Sequence, residues 1–267
     1  MRLALQLIIV LCNFVEGAED VHYKHLINIC HRIFGHLCIG SYIDEFWVLI
    51  PYECAWDRTD QELIRLMADN PNLDCVHGQY RNPAQLIVPS YNFIRQNYRV
   101  ALIEIEEPFI MLATSVDTID IPISTNASAK RCNMYEYYYN EERLDFALRS
   151  IPVTFTVMDE CRRFFSDNFE QIADAVLCGS AKIEVSFLEV VNLSGLSPVI
   201  CDKQLKGYVI AANHSTIVVM RIAFQTDWIN FVLSKPRYIR INKHSDLTPS
   251  LSHVKCWLFV LTVFILF

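Results

Sequence analysis

Residues 183–193 read Ile-Glu-Val-Ser-Phe-Leu-Glu-Val-Val-Asn-Leu, and this stretch sets our first expectation about the fold. Branched and aromatic residues dominate it, which predicts a β-strand. Strand side chains alternate between two faces. The face that carries Ile183 and Phe187 is apolar except for Glu189, so a carboxylate interrupts a face otherwise suited to burial. Glu189 is therefore a candidate functional residue; the alternative is a solvated side chain that turns outward at a β-bulge.

The chain on either side of this strand has two different patterns. In residues 18–150, apolar residues recur at spacings of three and four, and residues 60–67 follow a plausible N-cap at Thr59, which predicts a mainly helical lobe. Residues 151–244 are predicted to contain strands at 183–193, 206–212 and 238–241, with helices at 161–177 and 228–233. Alternating strands and helices predict a parallel sheet flanked by helices. The predicted fold class is therefore α/β, in two lobes, with Glu189 near the carboxyl end of its strand.

Both ends of the chain carry apolar segments. Arg2 precedes an apolar run, and residues 1–17 predict a secretory signal peptide. A second apolar run, at 256–267, is shorter than the roughly 20 residues of a spanning helix. Together with the polar segment before it, this run predicts a GPI-attachment signal over residues 245–267, with a short tail anchor or a buried C-terminal strand as the alternative. We therefore expect a protein of the secretory pathway, held by a lipid anchor at the outer face of the plasma membrane.

The composition narrows the class of protein. The formal net charge is -7 and no cluster of basic residues occurs, which argues against a nucleic-acid partner. Eight of the ten cysteines lie between the two terminal segments, and an even number in an exported chain predicts a disulfide framework. A metal site is not expected, because no Cys-x-x-Cys pair occurs. Sequons for N-glycosylation begin at Asn126, Asn192 and Asn213.

Several short segments, in a common order, resemble the ADP-ribosyl cyclase / NAD glycohydrolase family. The segments are Glu-Val-Val-Asn-Leu at 189–193, Gly-Tyr-Val-Ile at 207–210, Val-Leu-Cys-Gly-Ser at 176–180, Ile-Pro-Val-Thr-Phe at 151–155 and Leu-Ser-Lys-Pro-Arg-Tyr-Ile at 233–239. In the N-terminal half, Cys38, Cys54 and Cys75 fall at the cysteine intervals of that family, and residues 60–67 resemble its helix there. The resemblance extends over most of residues 30–242.

The resemblance implies a helical lobe and a parallel-sheet lobe with the active site between them. It implies an enzyme, a hydrolase and transferase that takes NAD as its substrate and needs no cofactor. Glu189 matches the catalytic glutamate, Glu106 matches a second acidic position that binds substrate, and Glu107 stands beside it. The products would be ADP-ribose, cyclic ADP-ribose or both.

The resemblance also implies a disulfide pattern. It pairs Cys54 with Cys132 and Cys75 with Cys161. Of the remaining cysteines, it leaves Cys30 near Cys38 and Cys178 with Cys201.

One carboxylate can suffice for this chemistry, because nicotinamide leaves as a neutral molecule and needs no general acid. Glu189 would stabilise the positive charge that develops on the ribose, and Glu106 would hold the nicotinamide amide. The chain departs from the family in having no tryptophan at the two positions that surround the nicotinamide. Two alternatives therefore stand beside the enzyme: an inactive GPI-anchored protein that retains the fold, and a disulfide-stapled surface protein of unrelated fold.

Overall fold

The computed structural model describes ten stretches of the chain: residues 24–55, 58–70, 75–90, 99–111, 115–122, 131–140, 145–165, 172–182, 196–213 and 215–236. Thirteen strands and one α-helix lie in these stretches, and every pairing between two of the strands is antiparallel.

The first half forms a seven-stranded, barrel-like sheet, which we call the N-terminal sheet. Its strands are β1 (Leu26–His31), β2 (Gly35–Asp44), β3 (Trp47–Pro51), β4 (Ile64–Ala68), β5 (Gln79–Arg81), β6 (Pro83–Ile87) and β7 (Val100–Ile105). Their order across the sheet is β5-β4-β1-β2-β3-β7-β6. The core is filled by alternate residues of each strand, such as Ile27 and Ile29 of β1 and Ile103 and Ile105 of β7. This period of two is the one that a strand requires.

The second half forms a closed barrel, which we call the C-terminal barrel. Its strands are β8 (Cys132–Asn140), β9 (Asp145–Phe155), β10 (Val176–Ala181), β11 (Pro198–Cys201), β12 (Gln204–Ala212) and β13 (Thr216–Arg221), in the order β10-β13-β12-β11-β8-β9. Helix α1 (Thr226–Leu233) follows β13 and buries Trp228, Ile229 and Val232. The barrel interior again takes alternate residues, including Val199 of β11 and Ile217 and Val219 of β13.

Four disulfides close loops within these two halves. Cys30–Cys75 and Cys38–Cys54 lie in the N-terminal half, and Cys132–Cys201 and Cys161–Cys178 lie in the C-terminal half. The predicted disulfide framework is therefore confirmed. The implied pairs Cys54–Cys132 and Cys75–Cys161 are wrong, and so is the remaining pair Cys178–Cys201. Cys132 instead lies directly opposite Cys201 on a neighbouring strand, with Cα atoms 4.1 Å apart.

The predicted fold class is wrong, since neither a helical lobe nor a parallel sheet flanked by helices occurs in the described residues. Residues 60–67 contain strong helix formers, but they form a short 3-10 segment and then β4, whose Ile64, Leu66 and Ala68 alternate into the core. Pairing of β4 with β1 and β5 therefore overrides local helix propensity. In the described part of the predicted helix at 161–177, which excludes 166–171, two short 3-10 segments and the start of β10 are found instead.

Two local predictions are confirmed. Residues 206–212 lie in β12, although its neighbours are antiparallel, and residues 228–233 lie in α1. The strands predicted at 183–193 and 238–241 fall outside the described residues, as do the signal peptide at 1–17 and the anchor signal at 245–267. Among the helices of the described stretches, none is long and apolar enough to cross a membrane.

Candidate functional site at the junction of the two halves

The N-terminal sheet and the C-terminal barrel are joined by buried polar contacts. Tyr208 of β12 is 1% exposed, and its hydroxyl donates to the carbonyl of Leu49 in β3 at 2.8 Å. The same hydroxyl is hydrogen-bonded to Ser41 Oγ at 2.9 Å. Burial raises the pKa of this phenol, so the group stays protonated and able to donate. These bonds fix the position of β3 against the C-terminal barrel.

A glutamate lies directly after β3, at the side of this junction. Pro51 ends β3, and Tyr52–Cys54 form one 3-10 turn that carries Glu53. The Cys38–Cys54 disulfide ties the end of this turn to β2. The turn is also held at its start, since the backbone N–H of Tyr52 donates to the carbonyl of Arg99 at 2.9 Å. The backbone around Glu53 is therefore fixed at both ends.

Arg99 precedes β7 and lies beside this turn. Its backbone N–H donates to Oε1 of Gln225 at 3.0 Å, and Gln225 is fully buried in the turn before α1. Its carbonyl accepts the bond from Tyr52. The backbone of Arg99 is thus held by the N-terminal sheet on one side and by the C-terminal half on the other. Its guanidinium Nε lies 2.9 Å from Oε1 of Glu53.

The Glu53–Arg99 ion pair is partly solvated, with side-chain exposures of 34% for Glu53 and 47% for Arg99. An exposed pair of this kind contributes roughly 0.2–1 kcal/mol to stability, because water screens the charges. Its chemistry is limited. A guanidinium has five N–H donors, no acceptor, and keeps its proton under all ordinary conditions, so Arg99 is not a base. Glu53 is an acceptor whose charge is neutralised by Arg99.

Three histidines of the N-terminal sheet and its flanks are engaged elsewhere. Nδ1 of His25 lies 3.0 Å from the carbonyl of Asp117, and Nδ1 of His31 accepts the backbone N–H groups of Ile33 and Phe34. Nδ1–H of His36 donates to Oδ1 of Asn28. An imidazole that serves as a general base in a hydrolytic triad has Nδ1 bonded to a carboxylate. None of these three histidines has that arrangement in the bonds just given.

His36 also takes part in the junction. Its ring lies against that of Tyr137 in β8, with centroids 4.2 Å apart. Burial lowers the pKa of His36 from 6.5 to about 4, so the imidazole is neutral at physiological pH. The contact between the two halves at this point is therefore one between two uncharged rings.

The predicted site residues are placed as follows. Glu189 lies outside the described residues, so its predicted catalytic role stays a prediction. Glu106 and Glu107 are exposed just beyond β7, where Oε2 of Glu106 accepts a bond from Nδ2 of Asn82 at 3.3 Å. Glu104, in β7 itself, is 5% exposed. These three glutamates are thus divided between a buried strand and an exposed turn.

A surface cleft of about 350 Å³ lies beside that turn. Its lining residues are Ile43, Asp44, Glu45, Pro108, Phe109, Met111 and Thr118. Among the described residues that line it, two are carboxylates. Arg81 lies beside them, since its Nε donates to the carbonyl of Pro108 at 2.8 Å and its guanidinium lies 5.3 Å from the centre of the Phe109 ring. Neither Glu106 nor Glu107 is among these lining residues.

The described residues contain no group of three or more His, Cys, Asp or Glu side chains that could hold a metal ion. The eight cysteines between the terminal segments are all in disulfides and so have no thiolate to offer as ligand or nucleophile.

Sequence reasoning missed both members of the Glu53–Arg99 pair. The signal that could have found them is local. Glu53 directly precedes a framework cysteine, and Arg99 stands immediately before the apolar run Val100–Leu102. Functional side chains lie disproportionately on loops held by a rigid scaffold, and both residues lie just outside buried strands.

Together, these features define the fold class: an antiparallel β protein in which a barrel-like N-terminal sheet meets a closed C-terminal barrel at a polar junction. The crystal structure of the scabies mite inactivated protease paralogue S-D1 is similar to this chain, with a TM-score of 0.64. The match covers 82% of this chain and 97% of the mite protein, at 15% sequence identity. At that identity the similarity establishes the shared fold. No protein-family model matches the sequence.

Proposed function

We propose that the protein is an exported, non-catalytic binding protein built on the antiparallel β fold that it shares with an inactivated protease paralogue. The observation that carries this proposal is the Glu53–Arg99 ion pair at the junction of the two halves. In chymotrypsin-like proteases the triad comes in the chain order histidine, aspartate, serine. We infer that Glu53 and Arg99 stand in the first two places. They come in the right order, contact each other directly, and lie where the C-terminal half meets the N-terminal sheet.

With this pair in those places, acyl transfer lacks its general base. A serine hydroxyl needs a neutral imidazole to accept its proton, and the imidazole needs a carboxylate to orient it. Here a carboxylate replaces the imidazole and a cation replaces the orienting carboxylate. The carboxylate of Glu53 and the guanidinium of Arg99 therefore form an ion pair with each other, and the pair does not transfer a proton.

One strand edge supports a binding role. Strand β12 pairs with β11 as far as Tyr208, and Val209 N–H donates to the carbonyl of Ser197. Beyond that point Ala211 and Ala212 pair with β13, and residues 183–195, which precede β11 in the chain, lie outside the described stretches. A strand segment whose second side is open can accept an extended polypeptide as an added strand. We therefore propose an extended polypeptide segment as the class of ligand.

Cleavage of NAD, expected from the sequence resemblance, is kept as the alternative proposal. Its support is the set of short segments that resemble the NAD glycohydrolase family and the presence of Glu189 in one of them. The two-lobed fold that accompanied that resemblance is wrong for the described residues. The non-catalytic proposal is favoured because it depends on side chains whose positions are described.

Both proposals can be tested with one preparation of the secreted, disulfide-bonded chain. Peptide hydrolysis is measured with a mixed fluorogenic peptide library, nucleophilic serine is probed with a fluorophosphonate, and NAD cleavage is followed by nicotinamide release. We expect no signal in any of the three. An active two-barrel protease and an active NAD glycohydrolase, each purified in the same way, serve as positive controls.

The outcomes separate the two proposals. Peptide hydrolysis or fluorophosphonate labelling would overturn the non-catalytic proposal. Nicotinamide release that is lost in Glu189→Gln would replace it with the NAD alternative. Without turnover, binding of immobilised wild-type chain to an extended-peptide library tests the ligand class, and failure to enrich any peptide would contradict it.

A further inference from the structure

Asn213 lies at the turn between β12 and β13 and organises that turn with its own side chain. Its Oδ1 accepts the backbone N–H groups of Ser215 at 3.1 Å and Thr216 at 2.8 Å. Its backbone N–H donates to the carbonyl of Thr216 at 2.9 Å. The carbonyl oxygen of the side-chain amide is therefore committed to holding the hairpin, as in other turns closed by asparagine.

The same residue begins the sequon Asn213-His214-Ser215. Attachment of an N-glycan takes place at Nδ2 of asparagine and leaves Oδ1 unaltered. Oδ1 therefore holds the turn, while Nδ2 is the atom to which a glycan is attached. Both hydrogen bonds to Oδ1 can persist after modification, so a glycan at this position is compatible with the folded hairpin.

The surroundings of the turn also leave room for a glycan at Asn213. Asn213 is partly exposed and Ser215 is exposed, at one end of the C-terminal barrel. Four disulfides are consistent with an extracellular chain, and N-glycosylation belongs to the same export route. The sequons at Asn126 and Asn192 lie outside the described residues.

We propose that Asn213 is an N-glycosylation site of this protein. The reaction joins Nδ2 to the anomeric carbon of an oligosaccharide supplied on a lipid diphosphate. The bond from that carbon to the diphosphate oxygen breaks, and Nδ2 loses one proton. The observations behind this site, the hairpin and the export of the chain, do not use the proposed binding function, although Asn213 directly follows Ala212 of the proposed binding segment.

Peptide mass spectrometry of the chain secreted from eukaryotic cells tests this site. Enzymatic deglycosylation converts a modified asparagine to aspartate, and we expect that conversion at position 213. The Ser215→Ala variant removes the sequon but keeps Asn213 and both of its backbone partners, so it should lose the glycan and retain the thermal stability of the deglycosylated wild type. The Ser215→Thr variant keeps the sequon and should keep the glycan.

Further variants separate loss of the glycan from loss of the turn. Asn213→Asp keeps an oxygen acceptor for both N–H groups and removes Nδ2, so it should be secreted without the glycan. Secreted wild-type protein with unmodified asparagine at 213 would overturn the proposal, whether or not Asn126 and Asn192 are modified. Retention of the glycan at 213 in Ser215→Ala would also overturn it, because the modification would then not depend on the sequon.

Discussion

The hydroxyl of Tyr208 in the C-terminal barrel donates to the carbonyl of Leu49 in the N-terminal sheet across 2.8 Å, and both residues are buried. This bond, with its neighbour at Ser41, is the most enclosed polar link between the two halves described above. Its loss would leave a buried carbonyl without that donor, and a buried unsatisfied group costs more than the net gain from making the bond.

We therefore predict that Tyr208→Phe lowers the free energy of unfolding by about 1–3 kcal/mol, the usual cost of a buried polar group deprived of its partner. Urea denaturation followed by fluorescence measures this change. Tyr80→Phe is the matched control, because Tyr80 is 52% exposed and loses a hydroxyl that water can already reach. An equal effect in both variants would contradict a special role for the buried bond.

The Glu53–Arg99 pair should be weakly coupled. In a double-mutant cycle with Glu53→Gln and Arg99→Gln, we expect a coupling energy of roughly 0.2–1 kcal/mol, because both side chains are partly exposed. Chemical denaturation at low and at high salt measures it, and salt should reduce the value. A coupling above about 2 kcal/mol would show that the pair is shielded from water.

Stability should fall in acid because of His36. Its folded pKa of about 4 lies below the ordinary 6.5, so the unfolded chain takes up the proton first. The stabilising contribution of neutral His36 is complete above about pH 6.5 and is lost as the pH falls towards 4. The loss amounts to at most about 3–4 kcal/mol, at about 1.4 kcal/mol per pKa unit.

The variant His36→Gln tests this, since glutamine can still donate to Asn28 but does not titrate. Unfolding free energies measured between pH 7 and pH 4 should show a shallower decline in this variant than in wild type. His77→Gln, at an exposed histidine, is the control for replacing a histidine by glutamine as such. A wild-type slope in His36→Gln would assign the acid sensitivity to other groups.

The disulfides should differ in their contribution to stability. Cys132–Cys201 spans 69 residues and Cys161–Cys178 spans 17. If loop entropy in the unfolded chain dominates, replacing the first pair by alanines should cost about 1 kcal/mol more than replacing the second.

Non-reducing peptide mapping should recover all four pairs described here. A Cys54–Cys132 peptide would contradict the fold of both halves.

The fold was hard to predict from the sequence because its strands are buried on both faces or interrupted. In β1 all six residues are buried, so the period of two is masked by apolar residues on both sides. Residues 64–68 contain helix formers, but they form β4 because this segment pairs with β1 and β5. Such pairing depends on contacts between residues that are distant in the sequence. Local patterns were sufficient for α1, where apolar residues occupy one face of a short helix.

The candidate site was even less accessible to sequence reasoning. Glu53 and Arg99 are 46 positions apart and meet because β3 and β7 are neighbours in the sheet. A carboxylate on an apolar face of a predicted strand drew attention to Glu189, yet β7 and β8 also hold buried glutamates, Glu104 and Glu136. Glu136 is paired with Arg149 on the neighbouring strand, which supplies a structural reason for its burial.

The arrangement of the disulfides bears on how the chain is made. Both bridges of the N-terminal sheet are complete within residues 30–75, and both bridges of the C-terminal barrel fall after residue 131. Domains fold from the N-terminus during synthesis. The first half can therefore oxidise correctly before the thiols of the second half enter the export compartment. Vectorial delivery of this kind separates two sets of four cysteines in time and lowers the number of wrong pairings open to each.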